Sequence, residues 1–175
     1  MKMNEFEVKN DTLIKYHGDD EDVVIPISVE TETGLQFITR IGYAVFADKN
    51  LKRIRIPCSV RTIDNYAFAH CGSLERIELG DDVISIGQGA FFYCTSLKEV
   101  KLGEGLCRID REAFMGCESL PCITIPWSVE YIGEMAVGYI RRRSLTLYDG
   151  FVIRGRKGSI AEDYAMLNRI KFREV

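Results

Sequence analysis

The chain has 175 residues, the size of one compact unit, and its 46% hydrophobic and 28% charged residues supply a core and argue against wholesale disorder. A net charge of −3 and a pI near 5.5 give no overall reason to expect nucleic acid as a partner, and no run approaches the roughly 18 apolar residues that span a bilayer. The charge is uneven, however: residues 1–34 hold three Lys against nine Asp and Glu, whereas residues 138–175 hold nine Lys and Arg against four.

The first predicted elements are two short strands, FEVKN (6–10) and TLIKY (12–16), which alternate apolar and polar residues as paired strands do. No signal-peptide h-region accompanies them, so the chain as written is expected in the cytoplasm, and at the cell surface or secreted if an export signal has been removed. VVIPISV (23–29) then introduces a pattern that recurs later. An insertion, VETETGLQFITR (29–40), separates it from a degraded copy, ITRIGYAVFADKNLKR (38–53).

From residue 54 the pattern becomes regular. IRIPCSVRTIDNYAFAHCGSLER (54–76), IELGDDVISIGQGAFFYCTSLKE (77–99) and VKLGEGLCRIDREAFMGCESLPC (100–122) follow one another with a period of 23 residues. A fourth copy opens as ITIPWSVEYIGEMAVGY (123–139) and decays. Equivalent positions hold Ile54, Ile77, Val100 and Ile123; Ile63, Ile86, Ile109 and Ile132; and Phe68, Phe91, Phe114 and Val137. Cys71, Cys94 and Cys117 share another column, as do Leu74, Leu97 and Leu120.

One such unit is too small to bury its own apolar face, but stacked copies share a continuous core, which makes a solenoid. The I-x-I or V-x-L start of each unit alternates with period two and predicts a strand. Pro57, Gly80, Gly103 or Pro126 then ends it. The second half predicts a short extended piece leading into one helical turn, with its Ala packed closely and its Phe filling the core. Near the C-terminus, Ser159 followed by Glu162 predicts a capping box. Ile160, Tyr164 and Leu167 fall on one face of the helix that follows, and IKFREV (170–175) predicts a closing strand.

The pattern I-x-I-P-x-S-V-x-x-I-G-x-x-A-F-x-x-C-x-S-L closely resembles that of the bacterial BspA-like leucine-rich repeat family, strongly over 54–137 and more weakly over 23–53. The flanks at 6–26 and 152–172 are similar to that family's caps. The resemblance implies an α/β repeat solenoid: a right-handed leucine-rich-repeat stack with a parallel β-sheet on one face, short helical turns and capping segments at both ends. It implies one domain over 1–175, with an N-terminal β cap (1–30), repeats (31–143) and a strand–helix–strand cap (144–175). It also implies no catalytic residue and a role in protein binding, since some relatives are surface adhesins.

If Ile54 and Ile56 point inward, Arg55 points outward. The exposed columns then read Arg55, Glu78, Lys101, Thr124; Lys52, Glu75, Lys98, Pro121; and Arg53, Arg76, Glu99, Cys122. Two readings of this face stand: a solvated surface neutralised by salt-bridge ladders, or a polar recognition surface. Trp127, the only Trp, belongs either to an interface or beneath the C-terminal segment. Four or five strands about 4.8 Å apart offer only a few hundred Å², against about 800 Å² per partner in a stable interface. A partner therefore also needs the rims or caps.

Cys71, Cys94 and Cys117 are expected to be buried free thiols, because side chains in a column project in parallel rather than toward each other. Cys58, Cys107 and Cys122 share no column, and no zinc spacing or cofactor motif occurs. Six unpaired thiols favour a reducing compartment. His17 and His70 are expected in surface or turn roles. RGRKGS (154–159), with Arg141, Arg142 and Arg143, makes a basic region that is either a turn within the cap or an anion site. The leading expectation is a non-catalytic module that binds an unidentified protein without a cofactor. The alternative is a structural or self-associating unit, or a fragment of a surface adhesin; the oppositely charged ends suit head-to-tail association.

Overall fold

A computed structural model describes residues 5–32, 34–141 and 145–175. The chain begins with the antiparallel strands β1 (Phe6–Lys9) and β2 (Thr12–Tyr16), followed by β3 (Asp22–Val24). The insertion folds as a hairpin of β4 (Ser28–Thr31) and β5 (Gly34–Phe37). Each later coil supplies two strands. The first set is β7 (Arg53–Arg55), β9 (Arg76–Glu78), β11 (Glu99–Lys101) and β13 (Cys122–Thr124). The second set is β6 (Arg40–Ile41), β8 (Thr62–Ile63), β10 (Ser85–Ile86), β12 (Arg108–Ile109) and β14 (Tyr131–Ile132). The chain ends with the hairpin β15 (Tyr139–Arg141) and β16 (Leu145–Leu147), then β17 (Val152–Gly155), α1 (Ile160–Leu167) and β18 (Lys171–Glu174).

Residues 23 apart lie side by side. Ile54 pairs with Ile77, and Ile77 with Val100, in parallel register. The rings of Phe46, Phe68, Phe91 and Phe114 stack with centroids 5.1, 5.2 and 5.0 Å apart and planes within 7° of parallel. Tyr16 and Phe6 of the opening hairpin continue this column. The cap therefore closes the N-terminal end of the core with the same kind of side chain that fills it.

The cysteine column is buried and its thiols are free. Cys71, Cys94 and Cys117 donate to the carbonyls of Phe46, Phe68 and Phe91, at 3.1, 3.2 and 3.3 Å. Each thiol thus ties its coil to the preceding one. The serine of the P-x-S-V motif does the same on the opposite side: Ser59 and Ser128 donate to Ile38 and Leu106 carbonyls at 2.7 Å.

Three features depart from the expected detail. A second sheet exists, with order β1-β2-β6-β8-β10-β12-β14; it is parallel from β2 onward, and its repeat strands, β6, β8, β10, β12 and β14, have two residues each, too few to show alternation. The stretch around Ala-Phe runs as successive i→i+3 turns rather than a helical turn; Ala69 N–H bonds to the Tyr66 carbonyl and Cys71 N–H to that of Phe68. Left-handed residues four positions apart bend it, at Tyr66 and His70, Gly89 and Tyr93, and Glu112 and Gly116. Thirdly, the main strand face is divided between the sheet β3-β7-β9-β11 and the sheet β13-β17-β18. The amides of Glu75 and Lys98 bond to the carbonyls of Lys52 and Glu75, but the next residue in this column is Pro121, which has no N–H.

The C-terminal helix also differs. It buries Ala161, Tyr164 and Ala165, whereas Leu167 is 84% exposed. The small alanines allow close packing: a Cβ placed on Gly155 of β17 would stand 3.1 Å from that of Ala161. Ser159 is the N-cap residue, but its hydroxyl donates to the Arg156 carbonyl and makes no cap bond. Glu162 accepts the Gly158 N–H at 2.7 Å, so the expected capping box is not formed.

Candidate interaction surface

The repeat strands β7, β9 and β11 each bury their central side chain and expose the two beside it. Arg53 and Arg55, Arg76 and Glu78, and Glu99 and Lys101 therefore form a face of charged side chains one strand apart. Most of them pair: Arg53 with Asp22 at 3.0 Å, Arg76 with Glu99 at 3.1 Å, Lys98 with Glu75 at 3.1 Å and Lys52 with Glu21 at 2.6 Å. Lys101 pairs with Glu78. That hydrogen bond lowers the Glu78 pKa below its ordinary value and raises that of Lys101.

A carboxylate committed to Lys101 is lost to the strand on its other side. Among the described residues, Arg55 makes no ion pair. It lies in an open groove of about 630 Å³ on this face, with Val24 and Leu79 as apolar neighbours and the exposed thiol of Cys58 close by. Glu78 and Lys101 line the same groove. The structure thus brings three of the sequence-derived candidates together.

Thr124 and Cys122 lie on β13, beyond the break at Pro121, where they pair in register with Arg154 and Val152 of β17. Trp127 is 54% exposed, and the Arg156 guanidinium stands 5.1 Å from its ring centroid. It is both open to solvent and touched by the C-terminal cap. The backbone of Arg141 ends β15; Arg142 and Arg143 lie outside the described residues. His17 contacts Glu7 at 3.1 Å on the opening hairpin, and His70 is an exposed turn residue stacked on Tyr93.

The sequence reading overlooked an aromatic ribbon on the turn side. Tyr43, Tyr66, Phe92, His70 and Tyr93 form a chain of ring contacts with centroids 4.6–6.4 Å apart. None of these positions is aromatic in every repeat, so they leave no column in the sequence. Its only signal is an aromatic residue just before an Ala-Phe pair or just after the core Phe.

A profile of the BspA type leucine rich repeat region matches residues 28–148 with six copies. The chain belongs to the BspA type leucine-rich repeat family. No curated protein matches this BspA-type chain. Among solved structures it is similar to a leucine rich cell surface protein of Faecalibacterium prausnitzii, at 29% identity and a TM-score of 0.67 over 88% of this chain and 44% of that one. A leucine-rich repeat protein of T. pallidum shares 27% identity, with a TM-score of 0.73 over 85% and 67% of the two chains. One from Bacteroides ovatus also shares 27%, with a TM-score of 0.65 over 88% and 46%. The BspA-type chain thus spans less than half the length of the first and third of these. Among its described residues, no helix is long and apolar enough to cross a membrane.

Proposed function

We propose that this chain is a non-catalytic module that binds another protein through its exposed strand face. The observation that carries the reading is Arg55: a cation without a carboxylate partner among the described residues, in an open groove with Val24 and Leu79 beside it, on repeat strands whose other charges are held in ion pairs. An unpaired guanidinium beside apolar surface suits interface recognition. Seven strand positions about 4.8 Å apart give a face roughly 30 Å wide, which is still small beside a standard interface. The rims, with Trp127 and Thr124, therefore belong to the contact. Affinity capture with the full chain tests this. Partners captured by the wild type should be lost with Val24→Glu/Arg55→Glu and kept with Glu104→Lys. An identical captured set from all three proteins would overturn it.

A second reading is self-association. β3 ends the strand face with Asp22, and β18 ends it at the other extremity with Lys171, so the two ends carry opposite charge. A mass that grows as salt is lowered supports this reading; a constant monomer mass removes it. The cell surface relative favours display outside the cell, whereas six free thiols favour a reducing compartment. Protease treatment of intact cells separates these two placements.

A further inference from the structure

The strand face changes character at Pro121. On the repeat side, Arg55 apart, the cations and carboxylates of the strands pair with one another. On the cap side they are not. β17 and β18 are parallel strands joined through α1, and Arg154 pairs in register with Arg173, and Val152 with Lys171. Ile153 and Gly155 are buried, so Arg154 lies on the outward face, next to Thr124 on one side and Arg173 on the other. Among the described residues, none of Arg154, Lys171 and Arg173 makes an ion pair. The Nε of Arg154 is buried and has no hydrogen-bond partner there. Such a donor is costly to leave unmade. Arg156 and Lys157 extend the positive region to Trp127.

We propose that the outward face of the β13-β17-β18 sheet docks an extended acidic segment of a protein partner. The proposal rests on the protein-binding role above and assigns the cap its own share of it. Charge complementarity sets the sign of the ligand. Strand geometry favours a polypeptide over other polyanions. β18 is an edge strand, so its outer backbone groups are open to pairing with an added strand. Lys171 and Arg173 are two residues apart, and alternate side chains of an extended strand repeat about every 6.6 Å. An acidic segment laid along β18 therefore presents carboxylates at the same interval. Arg154 then supplies a second row of donors one strand further in, where guanidinium–carboxylate bonds are strong.

The test titrates the full chain with a dodecapeptide of alternating Glu and Thr. Calorimetry and the fluorescence of Trp127, the only Trp, provide the readouts. Saturable binding that weakens with salt is expected, with a fluorescence change and about tenfold or greater loss of affinity in Lys171→Glu/Arg173→Glu. Arg156→Ser/Lys157→Ser, in an exposed turn, provides a second variant should the first unfold. The repeat-face variant Val24→Glu/Arg55→Glu should bind the peptide like the wild type, so failure of the repeat-face reading and failure of this one are told apart. No binding, or equal binding by the cap variants, overturns the proposal. So does a preference for a heparin fragment or a phosphatidylglycerol vesicle, or growth of the protein's own mass in place of peptide binding.

Discussion

Phe68 and Phe91 lie face to face, with ring centroids 5.2 Å apart and planes 1° from parallel, although 23 residues separate them. Both are fully buried, and each thereby covers the other from solvent. A solenoid coil has only two neighbours, so removing one ring uncovers the rings above and below it. Phe91→Ala is expected to cost about 3–5 kcal/mol, the usual range for a buried Phe. Phe92→Ala, on the half-buried ribbon beside it, should cost clearly less. Urea unfolding of the two variants checks the order.

Stacked coils also approach closely where side chains are absent. A Cβ on Gly87 would stand 2.7 Å from the Asn65 backbone nitrogen, and one on Gly133 2.3 Å from that of Arg111. A methyl group there forces two coils apart, and overpacking of this kind costs about 1–3 kcal/mol. Gly87→Ala and Gly133→Ala should both lower the urea midpoint. Gly80→Ala, which meets nothing within 4 Å, should leave it nearly unchanged.

These columns were legible in the sequence because a 23-residue period converts directly into contact: Phe68 to Phe91, Cys71 to Cys94, Ile54 to Ile77. The second sheet was not, because two residues such as Thr62 and Ile63 are too few to display a period. Nor were the bends, since Tyr66, His70, Tyr93 and Glu112 adopt left-handed backbone without the glycine that usually signals it. The helix face was misread because Leu167 looked apolar enough to bury, whereas space against Gly155 selects Ala161 and Ala165. On the exposed face, the columns were predictable but the choice within them was not: Glu78 is equally spaced from Arg55 and Lys101 and commits to Lys101. Arg154 and Arg173 are 19 residues apart, outside the repeat, and meet only because α1 carries the chain back to a parallel strand.

The thiol column should give the protein a pH-dependent stability on the alkaline side. Burial pushes the Cys117 pKa up to about 12, and a hydrogen bond with the Cys71 thiol together with burial raises that of Cys94. In the unfolded chain a thiol titrates near 8.5. Above that pH the folded state holds protons that the unfolded state has lost, so stability is complete below about 8.5 and falls as pH rises toward about 12. Tyr164, also pushed up to about 12 by burial, adds to the loss only above about pH 10. Urea midpoints measured between pH 8 and 10 should decline, and Cys117→Ala should make the decline shallower. A flat profile contradicts the assignment.

The same burial predicts which thiols react. Cys58 is exposed, whereas Cys71, Cys94 and Cys117 are buried with their protons on backbone carbonyls. The thiolate is the nucleophile; burial withholds it at all three positions, and a raised pKa adds to this at Cys94 and Cys117. Iodoacetamide at pH 8 should modify Cys58 within minutes. The three column thiols should become modified only when urea unfolds the chain, which peptide mapping by mass spectrometry will show.

Pro121 divides the strand face, and restoring its amide should join the two halves. At the equivalent positions, Glu75 and Lys98 each donate to the carbonyl one coil back, at 3.1 and 2.8 Å. Pro121→Glu supplies the missing N–H opposite the Lys98 carbonyl and adds a carboxylate one strand from the Lys98 ammonium. The new bond contributes about 0.5–1.5 kcal/mol. Loss of the proline ring frees the unfolded chain and takes back about 0.4–1 kcal/mol. Net stability should therefore change by less than about 1 kcal/mol, while the exchange pattern changes clearly. Hydrogen exchange should find a protected amide at residue 121 in the variant, with added protection along β11 and β13. A freely exchanging amide there would mean that something other than the proline holds the two sheets apart.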